Sequence, residues 1–432
     1  MSVTKKFTKY VSQNVFGMIG ISLYILADTF FISLAVGADG ITALNLVLPV
    51  YNLIFAIGAM IGVGSAIRYA VARGREDDTA DTYFFNAIFW GTAAGIIFLL
   101  LGLFVPGKIV ALLGGDEAIV AVGAPYTRIF MLFSPCFIWN SICNAFVRND
   151  GAPGISMAAT LFSSLFNIVM DYVLMFPLGL GMAGAALATA CSPVVGVLIC
   201  CIHLRSKKCN VIFKPIRPSI KRLFYSCQVG VSAFVGEISS GVITVAFNMI
   251  ILHLAGNIGV AAYGVVANTS LVAVSMFNGV SQGSQPLLSE FYGSGEWDNV
   301  KKVIRMGIGT AFVLAVLILG VVFIGAEGIV AVFNSEQNLE LAAYAKTGLR
   351  LYFIGFLFAG INIVGAGVLS AIEAARWAFV TSILRGFVAI LIAAFTLSAL
   401  FGMNGVWLAF PVAEFATLFV MIAALRKSCG SY

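Results

Sequence analysis

"GADGITALNLVLPVYNLIFAIGAMIGVGSA", residues 37–66, decides the fold through two properties. Its one charged residue, Asp39, stands near the start, and the apolar run behind it exceeds the roughly 20 helical residues that cross a hydrocarbon core about 30 Å thick. It also recurs. "GNIGVAAYGVVANTSLVAVSMFNGVSQGSQ", residues 256–285, aligns at an offset of 219, pairing Gly40 with Gly259, Ala43 with Ala262, Gly64 with Gly283 and, beyond, Gly74 with Gly293. Further along, "GMAGAALA" at 181–188 matches "GMNGVWLA" at 402–409 at an offset of 221, and Arg128 in "YTRIF" answers Arg350 in "GLRLYF". One small loop insertion explains the drift.

Working outward, the 432 residues are 60% hydrophobic and 10% charged, against about 25% charged in a soluble domain. The reading is an all-α integral membrane protein with twelve transmembrane helices. The spans are placed at 15–36, 42–70, 83–105, 121–147, 154–176, 183–204, 223–254, 260–287, 303–325, 342–371, 377–400 and 405–425. "MSVTKKFTKY" is basic, but the apolar stretch behind it is too long for a signal peptide and lacks a small-residue cleavage site, so the first helix is expected to stay. Lys and Arg crowd the even-numbered loops, from Arg73 and Arg75 through residues 205–222 to Lys301, Lys302, Arg305 and Arg376. The other loops hold little beyond Lys108 and Lys346. That asymmetry predicts both termini in the cytosol and a cytoplasmic-membrane, multi-pass, bacterial-type protein.

The net charge of +6 is therefore a topology signal, and no basic face with interleaved aromatics supports nucleic-acid binding. Eight Cys without C-x-x-C spacing suit free thiols, and no cofactor or resident metal site is expected. Each copy of the repeat holds an even number of crossings, so the axis relating the copies lies along the membrane normal. The expected organisation is two pseudo-symmetric six-helix lobes, 1–204 and 223–432, joined by the basic, Pro-containing linker 205–222. Two bundles that rock about a central cavity are the usual build of a secondary transporter.

Five charges lie deep in the predicted spans: Asp28, Asp171, Glu237, Glu414 and Arg385. A charge at a helix centre costs roughly 2.5–3.5 kcal/mol on insertion scales, so it faces a cavity or a partner. "FNIVMDYVLMF", 166–176, isolates Asp171 in apolar sequence. The first and fifth spans both run outward; Asp28 lies nine residues before Gly37 and Asp171 six before Pro177, so their depths differ by about one helical turn. Thr160, Ser164, Asn167 and Asp171 form one polar seam on the fifth span, Tyr24 sits one turn from Asp28, and Thr189 reaches the same level on the sixth span. A wet pocket lined by Tyr24, Asp28, Asn167, Asp171 and Thr189 follows, with Tyr126 a further candidate. Two close carboxylates oppose simultaneous ionisation, so the pair either shares a proton or binds a monovalent cation such as Na+ at Asp28, Asp171, Asn167 and Thr189.

"ADTFFISLAVGADGITALNLVLPVYNLIFAIGAMIGVGSA", "RNDGAPGISMAATLFSSLFNIVMDYVLMF", "GMAGAALAT" and "GVWLAFPVAE" together resemble the multidrug and toxic compound extrusion (MATE) transporters, near their DNA-damage-inducible and bacterial multidrug-pump branches, over essentially the whole chain. The resemblance implies a V-shaped antiporter that exports amphipathic or cationic organic compounds in exchange for H+ or Na+ by alternating access. It also implies ion-coupling roles for Tyr24, Asp28, Asn167, Asp171 and Thr189, and adds Asn144 of the fourth span. In another branch, acids on helices seven and ten bind a cation; here Glu237 matches the first, whereas Glu373 lies at a cytosolic helix end and is expected to pair with Arg376. Glu237, with Glu414 and Arg385, is a candidate for the substrate cavity. The abundant Phe, Met and Tyr suit broad recognition of amphipathic molecules. The rival readings are a flippase for a lipid-linked precursor, for which Arg385 is the one cavity cation available to phosphate, and a membrane structural or receptor protein without transport. An enzyme is not expected: His203 and His253 sit at opposite faces and no H-E-x-x-H or G-x-S-x-G occurs.

Overall fold

A computed structural model describes residues 2–334 and 337–429, and the described residues form helices joined by short loops. In chain order these are α1 (Val3–Ala35), α2 (Ala38–Gly74), α3 (Ala80–Phe104), α4 (Pro106–Leu112), α5 (Glu117–Leu132), α6 (Ser134–Asn149), α7 (Pro153–Met175), α8 (Gly181–Leu204), α9 (Ile220–Gly293), α10 (Trp297–Phe333), α11 (Leu339–Phe353), α12 (Phe356–Ala371), α13 (Ala375–Ile383), a π-helical turn Leu384–Val388, and α14 (Ala389–Cys429). Eight runs are long and apolar enough to cross a membrane, and the bent pairs α5–α6 and α11–α12 each supply one further crossing. α9 and the run from α13 to the end of α14 are each divided by a glycine with left-handed φ, Gly256 and Gly402, so each crosses twice. Twelve crossings result, as expected.

The helices differ from the expected spans in two ways. α1 begins at Val3, because Ser2 caps it by accepting from Lys5 N–H, and the basic segment ahead of the membrane is helical too. The fourth and tenth spans, expected as continuous helices, bend by 48° and 50°. The first bend falls at Phe133, just before Pro135 in the opening turn of α6; proline has no N–H for the preceding turn's carbonyls. The second falls at Ile354 and Gly355, the position related to Phe133 by the repeat offset of 221.

The repeat is written in the backbone. Gly37 (φ 78°) and Gly256 (φ 61°) occupy equivalent positions, as do Gly181 (φ 50°) and Gly402 (φ 57°). A side chain in such a conformation costs roughly 1–3 kcal/mol, which explains why both copies keep glycine where one span turns into the next. One buried cluster extends from Ile32 to Val211 and another from Phe247 to Ala413, the second joined by Phe7 and Val11 of α1. On the outside, Ile97, Phe104, Phe162, Ile202, Val321 and Ile324 are exposed, a lipid-facing surface that no water-soluble monomer carries. Residues 205–219 cross the ends of α3 and α6. Phe213 packs against Phe84 and Phe85 with centroids 6.2 and 5.3 Å away, and Asn86 accepts from Ser219 N–H at 2.8 Å.

Candidate functional site

Small residues let α1, α7 and α8 approach one another. Gly17 and Gly20 of α1 face Met157, Thr160 and Leu161 of α7, while Gly184 of α8 lies against the Leu174 backbone and Ser163 donates to the Ser192 carbonyl at 2.7 Å. The polar seam of α7 therefore has nowhere to point except into the bundle, and Ser164, Asn167 and Asp171 are buried. Asp171 is 0% exposed and Asp28 is 9% exposed. Their carboxyl groups face each other within hydrogen-bonding reach. Oriented so that donor meets acceptor, the Asn167 amide donates to Asp171 Oδ2 at 3.2 Å and accepts from Thr189 N–H at 3.3 Å. Tyr126, buried on α5, stands close to the same group.

One oxygen of each aspartate, Oδ1 of Asp28 and of Asp171, is buried without a partner. Buried polar oxygens are normally satisfied, so an orphan on each of two neighbouring carboxyls marks a place built for something that comes and goes. A proton between the carboxyls, or a small cation drawn to four convergent oxygen-bearing side chains, fits that description.

Tyr24 adjoins the pair from α1, and its hydroxyl lies 3.3 Å from that of Tyr51 on α2. Tyr51 stacks between Phe55 and Phe130, at 4.5 and 4.7 Å between centroids, making one aromatic wall. Sequence reasoning missed Tyr51; a tyrosine two residues after Pro49 in an apolar span was the available signal. Asn144 does not join the pocket. It donates to Thr160 at 3.2 Å and accepts from Ser156, and Thr160 lies eleven residues before Asp171, about 16 Å along α7.

The carboxyl-terminal half holds its charges differently. Glu414 on α14 is 2% exposed and accepts from Arg385 Nε at 2.6 Å and from Asn362 Nδ2 at 2.7 Å. Arg385 projects from the π-helical turn, where an extra residue per turn re-aims the side chain. Glu414 and Arg385 thus neutralise each other and are not loose charges in a cavity, and Asn362 is a partner that sequence reasoning did not single out. Glu237 behaves oppositely: it is exposed, lies within electrostatic range of Tyr24, and has no partner among the described ion pairs. Glu373 does not pair with Arg376 as expected. Its carboxylate receives Arg68 of α2 at 2.5 Å and Arg75, which caps that helix, at 3.3 Å.

The MatE family model matches residues 14–173 and 233–396. The multidrug export protein MepA of Staphylococcus aureus strain MRSA252 is 30% identical over 402 residues, covering 91% of this chain and 86% of that protein. MepA of Staphylococcus saprophyticus is 27% identical over 416 residues, covering 96% and 91%. Among solved structures, an outward-facing multidrug resistance MATE family transporter of the MOP superfamily superposes with TM-score 0.94 at 20% identity, covering all of this chain and 97% of that one. A MOP superfamily transporter from Pyrococcus furiosus gives 0.92 at the same identity. The chain belongs to the MATE family of multidrug efflux transporters, and is a transporter rather than an enzyme.

Proposed function

We propose that this MATE-family chain is a secondary antiporter that exports amphipathic or cationic organic compounds, with inward movement of H+ or Na+ coupled through Asp28 and Asp171. The observation that carries the proposal is the facing pair of buried carboxyl groups, each with an unpartnered oxygen, on α1 and α7. Two charged carboxylates so close repel, and one bound proton or cation relieves the repulsion, so occupancy of the pair sets how tightly α1 and α7 hold together. Asn167 and Thr189 orient Asp171, and Tyr126 lines the pocket beside them. Two lobes, 1–204 and 223–432, then rock about a central cavity, and both termini stay in the cytosol. Glu237 offers an unneutralised acid to cationic substrates, whereas the pairing of Arg385 with Glu414 removes the one cation a lipid-phosphate flippase would have used.

Dye efflux from proteoliposomes, first under an imposed pH gradient and then under a sodium gradient, tests the reading. One gradient drives efflux in the unaltered chain, and neither does so in Asp28→Asn or Asp171→Asn although both variants fold. Full gradient-driven efflux in both variants removes the proposal.

A further inference from the structure

A second polar cluster, remote from the aspartate pair, lies where the linker leaves α8. Asp150 ends α6, His203 occupies the last turn of α8, and Cys209 lies six residues further on in the linker. One ligating atom from each, carboxylate oxygen, imidazole nitrogen and thiol sulfur, lies within 4.8 Å of the other two. The side chains of Asp150 and His203 are 2% and 5% exposed, while Cys209 is half-buried on the cytosolic side.

We infer that Asp150, His203 and Cys209 form a binding site for a borderline divalent cation of the Zn2+ class, with its fourth position open to cytosolic water. Imidazole, thiolate and carboxylate are the donors such ions select; Mg2+ and Ca2+ require oxygen cages and are disfavoured. Tetrahedral bonds of about 2.0–2.3 Å place ligand atoms roughly 3.3–3.8 Å apart, so on loading the ion takes the place of the direct His203–Asp150 hydrogen bond and parts those two atoms by roughly 0.5–1 Å. Outer partners are already present: Tyr69 donates its hydroxyl to Asp150 Oδ1 at 2.8 Å, and Asn210 donates its N–H to Oδ2 at 2.9 Å. Such groups fix a ligating carboxylate. Hydrogen bonding alone accounts for Asp150 and His203, whose Nε2 and Oδ2 are 2.8 Å apart. Beside them the thiol donates to the Val211 carbonyl at 3.5 Å, an ordinary length for sulfur, and brings its Sγ to the same carboxylate and imidazole. Loading releases the thiol proton to solvent and ties the linker to the ends of α6 and α8.

Co2+ is the optical probe, titrated into the purified full-length protein in detergent. One equivalent is expected to give four-coordinate visible bands with a sulfur-to-cobalt charge-transfer band, displaced by Zn2+. Cys209→Ser removes the charge-transfer band while leaving thermal stability and dye efflux unchanged. His203→Gln, which keeps a hydrogen bond to Asp150, weakens binding by more than about tenfold, at least the loss that an outer-sphere partner brings. In the unaltered chain Zn2+ slows alkylation of Cys209, read by mass spectrometry. A six-coordinate spectrum, a charge-transfer band that survives Cys209→Ser through any of the seven other cysteines, or no protection of Cys209 overturns the inference.

Discussion

At the scale of single residues, the two halves keep their buried acids in opposite ways, and substitutions separate them. Glu414 is held by Arg385 and Asn362, and Glu414→Ala leaves a guanidinium in an apolar surround. Breaking a buried pair costs about 3–5 kcal/mol. Because Arg385 keeps 26% of its side chain exposed, water screens part of that, and a loss near the lower end, about 3 kcal/mol, is expected in detergent unfolding. A double change to leucine at both positions should recover most of it; if the double variant is no more stable than Glu414→Ala, the pair is not what holds the part of α14 beyond Gly402 to the π-helical turn. Glu237 has no such partner among the described ion pairs, and Glu237→Gln is expected to narrow the range of cationic dyes exported without altering the driving ion, measured by efflux across a dye panel. Asp28 and Asp171 were legible in the sequence because a short acidic side chain in an apolar run cannot reach water by stretching, so it must be housed. Asn362 and Tyr51 were not, since amides and phenols satisfy themselves within many helices and carry no spacing signal. Asn144 shows the limit from the other side: a polar residue on the right helix, bonded instead to Ser156 and Thr160 well below the pocket.

At the scale of elements, the joints of the fold rest on backbone conformation more than on side chains. Gly256 and Gly402 each sit at left-handed φ with open space where a Cβ would stand, so the cost of a substitution there is conformational and not steric. Gly256→Ala and Gly402→Ala are each expected to destabilise by about 1–3 kcal/mol. Gly309→Ala on α10, at an exposed helical position with nothing near its Cβ, is expected to be neutral or to stabilise by up to about 1 kcal/mol. Thermal unfolding of the three variants checks the contrast, and equal effects would refute it. The glycine pairs were visible as an alignment, yet their left-handed φ was not, because the same letters serve close helix packing elsewhere in the chain. The bends at Phe133 and Ile354 were hidden for a related reason: hydropathy measures how long a span is and is blind to its direction, and Pro135 reads equally well as a helix's first turn or its interior.

At the scale of the whole molecule, the contacts between the amino- and carboxyl-terminal repeats gather at the end where α1 begins and α2 ends, so that end is closed. Gly64 of α2 lies against the Ser226 carbonyl and Gly230 against the Met60 carbonyl, so α2 and the first part of α9 touch backbone to backbone; the repeat-related Gly283 of α9 lies against Tyr10 and Val11 of α1. Gly74 meets Gly293 a few turns on, and Arg148 donates to Gln282 at 2.7 Å. Above these glycines Glu373 takes both Arg68 and Arg75, from a backbone held at φ 58°, a conformation costly for a non-glycine residue. Arg68 and Arg75 also lie over the rings of Tyr225 and Tyr292 on α9, at 5.9 and 5.7 Å. Small residues make this closure tight without making it adhesive, since lipid competes equally for apolar contacts, so the charged clasp is what biases it. Removing a charge-assisted hydrogen bond worth about 1.5 kcal/mol shifts a two-state equilibrium about tenfold. Glu373→Gln is therefore expected to raise the population open at this end by about that factor. The readout is alkylation of a cysteine placed at Ser226, 1% exposed when the ends are closed, in a chain whose eight native cysteines are replaced. Faster labelling in Glu373→Gln, with Arg376→Gln leaving the rate unchanged, is the expected pattern. An unchanged rate in Glu373→Gln means that the glycine contacts alone set the closure, and Gly230→Ala becomes the substitution that opens it.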